Sequence, residues 1–303
     1  MTPQTFLGWI ASIALAVLMV LVVVPIIVVF CFGLAASSLV SDVEPKFEGV
    51  NRVAVVELSG VILDSKDIVN SLYAQADDES VTGIVLRINS PGGAVGPSQE
   101  IYSVVRDITK KKPVVAVMTG VAASGGLYSA LSASKIFCQP GTLTGSIGVI
   151  MQLPNVSKIA DLVGFQMMTV KSGDLKDVGN AFRPMSATEQ EYLQTTINAA
   201  HKQFVEAISE SRKIPFDTVS KFADGRVILG SQAVELGLVD GIGDTYSAAR
   251  EIFNMAKIPL GADETPTIFY PEDKLGWLKD VMKSATTISQ KMRGEVEFQY
   301  ILR

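Results

Sequence analysis

The sequence predicts an α/β protein in which helices cover a sheet, preceded by one apolar segment. Three observations support this fold class. Short runs rich in β-branched residues alternate with amphipathic runs along most of the chain, and glycine-rich turns follow two of those strands. The first 41 residues contain no Asp, Glu, Lys or Arg, and the first charge is Asp42.

The N-terminal run over residues 7–34 is nearly all apolar and long enough to cross a bilayer as a helix. A cleaved signal peptide is the alternative, with Ala35-Ala36-Ser37 as a weak cleavage site, but the basic start and shorter apolar core of such a peptide are missing. The sequence therefore divides into an anchor (1–40), a linker (41–51), a folded domain (52–260) and a tail (261–303). Lys46 and Arg52, which follow the span, weakly favour a cytoplasmic C-terminal part.

The composition excludes several classes of protein. The 303 residues include 48% apolar and 19% charged residues, with a net charge of −5. A disordered chain, a collagen-like repeat and a basic nucleic-acid binder each need a different balance. With one histidine, His201, and two distant cysteines, Cys31 and Cys138, the sequence offers neither a multi-histidine nor a cysteine metal site. We expect no metal and no cofactor.

The order of elements follows from periodicity and turn residues. Strands are predicted at 52–58, 83–88, 113–118, 135–138 and 166–170, where β-branched or apolar runs are short. Helices are predicted at 97–110, 186–212, 216–222, 231–236 and 245–255, with a short one ending near 132. The longest helix begins at Ser186-Ala187-Thr188-Glu189, which has the form of a capping box. Residues 172–184 form a polar loop, and the pattern weakens after residue 261.

Two turns carry candidate chemistry. The first, NSPGG at 89–93, is either an ordinary strand-to-helix turn or a cradle whose amides bind an oxyanion, and it lacks the Gly-Lys-Ser/Thr of a phosphate loop. The second, AASGG at 122–126, places Ser124 at a helix start among small residues. This serine is either an N-cap or a nucleophile near the positive end of the helix dipole.

A nucleophilic serine needs a base. His201 lies in a charged helix, where a lone histidine is usually a solvated surface residue, so a lysine is the remaining common solution. A free lysine has a pKa of about 10.4, and a base at neutral pH needs one near 7.5. Burial can supply the difference of about 4 kcal/mol. Composition alone does not identify the lysine.

Together these motifs make the chain, over residues 52–256, resemble the signal peptide peptidase A (protease IV) family of membrane-anchored serine peptidases with a Ser–Lys dyad. The resemblance implies the Clp-protease/crotonase-like fold of repeated β-β-α units. It depends on five segments in the family's order, namely NSPGG at 89–93, AASGGLY at 122–128, TGSIGV at 144–149, KSGDLKD at 171–177, and ADGR at 223–226 with LGLVD at 236–240.

The resemblance implies a role for each matching residue. Ser124 corresponds to the nucleophile, Lys176 to the general base, and Ser146 to the serine that orients the lysine. The amides of Gly92 and Gly125 correspond to the oxyanion hole.

Four positions qualify these assignments. Lys171 is the rival base. The nearby carboxylates of Asp174 and Asp177 would raise the pKa of a lysine unless they point away. Leu127 stands where the family often has an aromatic residue.

The resemblance also implies a ring- or dome-shaped homo-oligomer on the extracytoplasmic side of the membrane. Its substrates would be remnant signal peptides and other apolar peptides, and no nucleic-acid partner is expected. Two alternatives remain at this point: a crotonase-like enzyme acting on acyl-coenzyme A, because the Pro-Gly-Gly turn suits thioesters too, and a catalytically inactive membrane scaffold.

Overall fold

The chain divides into two compact units, Met1–Val50 and Asn51–Arg303. The computed structural model describes Val24, residues 51–271 and residues 299–301. Apart from Val24, which is helical, the predicted transmembrane segment lies outside the described residues. None of the helices in the described part of the chain has the length and apolar character needed to cross a bilayer.

The second unit alternates strands and helices as expected. Its strands are β1 (Arg52–Ser59), β2 (Val81–Ser90), β3 (Gly92–Ala94), β4 (Val114–Ala122), β5 (Lys135–Cys138), β6 (Leu143–Gly145), β7 (Val227–Leu229), β8 (Gly241–Ile242), β9 (Ile268–Phe269) and β10 (Gln299–Ile301). Its helices are α1 (Lys66–Asp77), α2 (Val95–Ile108), α3 (Gly125–Ala130), α4 (Ser157–Leu162), α5 (Ala187–Arg212), α6 (Phe216–Ser220), α7 (Gly230–Glu235) and α8 (Thr245–Met255).

The main sheet is mixed. Its central order is β7-β6-β4-β2-β1-β9, with β5 pairing with both β4 and β8. The pairs among β1, β2, β4 and β5 are parallel, whereas β6 and β7 are antiparallel. Strands β3 and β10 form a separate antiparallel pair. The predicted α/β class is confirmed.

Both faces of the sheet are buried. Alternate residues of β2 and β4, such as Val85 and Val115, pack against Ile252 of α8, whereas Ile84 and Leu86 face the larger core on the other side. This burial on both faces explains why the strands are nearly continuous apolar runs. Leu127, which departs from the family pattern, is fully buried in the larger core.

One predicted strand is wrong. Residues 166–170 have no strand partner in the described structure, and Met168 and Val170 are 92% and 94% exposed. Their apolar character suggested a core strand because periodicity cannot tell a buried strand from an exposed apolar loop.

A network of charges supports the loop before α5. Arg183 contacts the carboxylates of both Asp177 and Glu189, and Glu189 also accepts from the Ser186 amide at 2.9 Å. The reciprocal bond from the Glu189 amide to Ser186 Oγ completes the predicted capping box, which is confirmed. The loop over 171–186 is thus tied to the start of the longest helix.

Phe204 connects that helix to the core. Its side chain is fully buried, and its ring centre lies 4.9 Å from that of Tyr128 on α3.

We predict that Phe204→Ala lowers the free energy of unfolding by about 3–5 kcal/mol, because it leaves a large cavity. Denaturant unfolding would measure this, with Tyr192→Ala, 47% exposed on the same helix, as the control. Equal effects of the two substitutions would contradict the placement of Phe204.

The Glu189 carboxylate makes a pH-dependent contribution to stability. Hydrogen bonds from Arg183, and then from the Ser186 amide, lower its pKa from 4.5 to about 2. Because the folded-state pKa is the lower one, the contribution is complete above about pH 4.5 and is lost as the pH falls towards 2. Glu189→Gln should therefore destabilise the protein at neutral pH, and the difference in unfolding free energy from wild type should shrink over that range.

Unfolding curves at several pH values would measure this difference. Glu191→Gln, at an exposed position on the same helix, is the matched control for the loss of one carboxylate. A Glu189→Gln effect that stays constant between pH 7 and about pH 2 would rule out the ionised contact as its source.

Candidate active site

Ser124 lies in the turn between β4 and α3. Strands β2 and β4 are parallel neighbours with Ser90 opposite Ala122, so the turns that follow them emerge at the same edge of the sheet. Gly126 allows these turns to approach, because a Cβ there would lie 2.8 Å from the carbonyl oxygen of Ser90. The sheet therefore brings together the two glycine-rich turns found in the sequence.

The backbone of Ser124 is strained and its hydroxyl is unused. Its φ of 53° lies in the left-handed region, and its amide donates to the Gly145 carbonyl at 2.8 Å. The side chain is fully buried, and Oγ has no hydrogen-bond partner among the described residues. Although Ser124 holds the N-cap position of α3, it makes no capping bond. A buried hydroxyl without a partner is unfavourable, which favours a chemical role over the N-cap interpretation.

The two predicted oxyanion glycines flank this serine. Gly125 is the first residue of α3, where amides have no acceptor within the helix. Gly92 has a φ of 99°, and its amide donates to the Ser90 hydroxyl at 3.1 Å. The Gly92 amide is therefore already hydrogen-bonded to Ser90, a buried serine that we did not predict to be part of the site. A serine in a turn gave no signal beyond ordinary turn composition.

Ser146 lies close to the Ser124 turn, because its neighbour in sequence, Gly145, is hydrogen-bonded to Ser124. It follows Gly145, whose carbonyl accepts the Ser124 amide, and its own amide donates to the Arg226 carbonyl at 2.7 Å. Ser146 also has a left-handed backbone, with a φ of 49°. The Arg226 side chain in turn binds Asp224, with Nε to Oδ1 at 2.8 Å. The ADGR motif thus supports the turn that carries Ser146.

Lys176 does not contact Ser124 within one chain. Its side chain is exposed and makes no hydrogen bond or ion pair within the described part of the chain. The rival Lys171 donates to the Asp174 carbonyl at 2.8 Å and pairs with Asp177.

The carboxylate of Asp177, which follows Lys176 in sequence, binds other side chains. Asp177 is bound by Arg183 and Lys171, and these contacts hold the pKa of its carboxyl well below the usual range. The Asp177 carboxylate therefore pairs with Arg183 and Lys171 and not with Lys176.

His201 differs from the solvated surface residue that we expected. It is half-buried, and its Nε2 is shielded from solvent without a hydrogen-bond partner among the described residues. It lines a cavity of about 420 Å³ together with Ser146, Asn198 and Asp224. We did not predict this burial, because residues 223–225, which line the same cavity, are distant from His201 in sequence.

The segment before Lys176 exposes many apolar side chains. They lie on α4 and in the loop after it, and include Leu162 (87% exposed), Val163 (74%), Phe165, Met167, Met168 and Val170. Monomeric soluble proteins rarely expose so many large apolar groups in one segment, so this surface has the character of an interface.

Comparison with known proteins identifies the family. The family models for Peptidase family S49 and for Clp protease match residues 106–258 and 50–142. A Synechocystis protein named as a protease is 35% identical over 222 residues, covering 73% of this chain and 80% of the relative. An Enterococcus faecium protein named as a signal peptide peptidase SppA is 33% identical over 246 residues, covering 76% and 70%.

Protease 4 of Haemophilus influenzae is 34% identical over 211 residues, covering 66% of this chain but 34% of the relative. The matches thus extend across β2, β4 and the turns that carry Ser124 and Ser146. On this evidence the chain belongs to peptidase family S49 and is a serine peptidase with a Clp protease-like α/β fold.

Proposed function

We propose that this peptidase is a membrane-anchored endopeptidase that hydrolyses remnant signal peptides and other apolar peptides, with Ser124 as nucleophile and Lys176 as general base. One observation carries the proposal: a fully buried serine hydroxyl with no partner in the described structure, on the strained backbone of one of two adjacent glycine-rich turns. Strain and an unused buried polar group at one residue are typical of functional sites.

The first half of the reaction forms an acyl-enzyme. The neutral amine of Lys176 takes the Ser124 hydroxyl proton while Oγ attacks the carbonyl carbon of the scissile bond. The Gly125 amide stabilises the oxyanion that develops, and the Gly92 amide does so once it gives up its bond to the Ser90 hydroxyl. The lysine ammonium then gives its proton to the leaving nitrogen, the C–N bond breaks, and an ester on Ser124 remains.

The second half reverses these roles with water. The lysine amine takes a proton from a water molecule, whose oxygen attacks the ester. Collapse of the second oxyanion releases the carboxylic acid product and returns the proton to Ser124 Oγ. Ser146, held beside the Ser124 turn, accepts from or donates to the lysine and orients it.

Assembly of several copies completes the dyad in this proposal. Lys176 is exposed and lies next to an exposed apolar segment, whereas Ser124 is buried and lacks an activating partner. An interface that covers the apolar segment would bury a lysine amine as well. Burial disfavours the charged form of a lysine, which is what a general base at neutral pH requires.

The proposed anchor would hold the enzyme at the membrane, where the proposed substrates are also found. Residues 7–34 are apolar enough to hold the enzyme at a bilayer, where apolar signal peptides remain after preprotein processing. The Enterococcus faecium relative is named for the same substrate class. We infer a single-pass protein with its catalytic domain on the extracytoplasmic side, against the weak indication from Lys46 and Arg52.

Membership of a peptidase family favours the peptidase function over the acyl-coenzyme A and scaffold alternatives.

We predict that Ser124→Ala and Lys176→Ala each lower the cleavage of an apolar peptide by about 10³-fold or more, because nucleophile and base act as one unit. The assembly should stay intact in both variants. Peptide cleavage followed by mass spectrometry, with light scattering for the assembly, would measure both properties.

Lys171→Ala is the matched control, because that lysine lies in the same loop and pairs with Asp177. It should keep most of the activity. Full activity in Lys176→Ala together with loss of activity in Lys171→Ala would transfer the role of base to Lys171. Full activity in Ser124→Ala would overturn the proposed nucleophile.

We further predict that deletion of residues 1–41 moves the protein from the membrane to the soluble fraction, because it removes the apolar run. Ultracentrifugation of lysates, followed by immunoblotting, would measure the distribution. The control is the full chain with Asp42→Asn, which changes a charge but keeps the run. Equal membrane association of the deletion variant and the full chain would contradict the anchor.

A further inference from the structure

The proposed mechanism leaves one cavity unused. This cavity, of about 420 Å³, is bounded by residues 146–150, by one face of α5 and by residues 223–225. Its volume lies within the range of pockets that hold small ligands. Because Ser146 follows Gly145, whose carbonyl accepts the Ser124 amide, the cavity lies directly beside the turn of the proposed nucleophile. A peptide held at Ser124 can therefore place a neighbouring side chain in it.

The cavity has an apolar part and a polar part. Residues 147–150 contribute mostly apolar side chains, whereas α5 contributes Gln194, Asn198 and His201. These three residues recur at intervals of four and three, so they share one face of the helix. The Gln194 amide donates to Asn198 Oδ1 at 2.9 Å, and both residues are exposed, whereas His201 is half-buried. His201 is therefore the polar group of this face that an occupant would meet away from solvent.

The lining favours a neutral occupant. Besides His201, Asp224 is the titratable residue among those that line the cavity, and its Oδ1 accepts from Arg226 Nε at 2.8 Å. A charged side chain would find no unpaired opposite charge among these lining residues. Because the burial of an unpaired charge is costly, a neutral side chain with a polar end fits the cavity better.

The imidazole of His201 has an unused hydrogen-bonding position. Its Nε2 is shielded from solvent and has no partner in the part of the chain that the structure describes, which is unfavourable for a polar atom. The χ2 torsion of histidine is broad, so the ring can turn Nε2 towards a group in the cavity. A hydroxyl suits either tautomer of a neutral imidazole, because it can donate to the bare nitrogen or accept from the protonated one.

We propose that this cavity is a substrate subsite in which His201 selects a neutral side chain ending in a hydroxyl, such as tyrosine, next to the scissile bond of an otherwise apolar peptide. The inference rests on the proposed peptidase function. The apolar groups of residues 147–150 contact the body of the side chain, and the imidazole binds its hydroxyl. A site that hydrogen-bonds a hydroxyl rejects the analogue without it, because the site's own polar group is then left unpaired.

The test compares peptides that differ by one hydroxyl. Each position around the cleaved bond of an apolar peptide carries either phenylalanine or tyrosine, and the full chain is the enzyme. At one position we expect kcat/KM to be about tenfold higher for tyrosine, as for one hydrogen bond. His201→Phe should abolish this preference, and His201→Gln, which can still form a hydrogen bond, should keep part of it. No tyrosine preference at any position in wild type, or an unchanged preference in His201→Phe, would overturn the proposal.

Lys202→Met is the matched control. Lys202 is the next residue of α5, and its side chain is 67% exposed. This variant should keep the tenfold preference for tyrosine. Equal losses of preference in Lys202→Met and His201→Phe would contradict a specific role of the imidazole.

A second measurement does not depend on turnover. His201 is the only histidine of the 303-residue sequence, so the imidazole nitrogen signals of the full chain without a histidine tag come from this residue alone. In the Ser124→Ala background, solid-state NMR of isotope-labelled histidine in lipid bilayers should show these signals moving with the tyrosine peptide and staying near their free positions with the phenylalanine peptide.

The outcomes of this measurement separate the subsite from the peptidase function. Equal changes with both peptides, or no change with the tyrosine peptide, would overturn the subsite even if cleavage is confirmed. Failure of the peptidase function would instead appear as absent cleavage of both peptides by wild type, with the tyrosine-specific signal change retained.

Discussion

The hydrogen bond from the Ser124 amide to the Gly145 carbonyl is the contact on which the site depends. It fixes the turn after β4 to the turn after β6, and it places Ser146 within one residue of the bond. Residues held in left-handed backbone conformations cost about 1–3 kcal/mol each, and both serines adopt one. The surrounding sheet, buried on both faces, supplies the rigidity that maintains this strain.

The same contact explains why the hydroxyl of Ser124 is left without a partner. The strained backbone directs the amide to Gly145, and the side chain does not cap α3. Small neighbours, Ala123 and Gly125, leave the hydroxyl without a local acceptor. In the proposed mechanism a lysine amine of the assembled protein binds this hydroxyl, which would explain why Ser124 Oγ has no partner among the described residues of one chain.

Much of the fold could be predicted from local pattern. The strands at β1, β2, β4 and β5 are apolar because both sheet faces are covered, and the α5 start was visible in its capping box. Helix α1 was missed, because it buries only Ile68 and Leu72 and its apolar stripe is short. Strand β10 was missed as well, since its pairing partner lies about 200 residues away in sequence. The false strand at 166–170 shows the reverse case, in which an exposed apolar loop has the composition of a core strand.

Local sequence pattern likewise indicates one part of the candidate site and not the other. The turn chemistry of Ser124, Gly92 and Gly125 is local, so the sequence alone could indicate it. The role of a lysine depends on burial by distant residues, which no local pattern records, and Lys176 was proposed only through family resemblance.

The distance between Ser124 Oγ and Lys176 Nζ in an experimental structure of the assembled protein tests the proposed dyad most directly. We expect a hydrogen-bonding distance of about 2.6–3.2 Å, with the amine buried. A Lys176 amine that remains in bulk solvent, away from every Ser124 hydroxyl of the assembly, would contradict it.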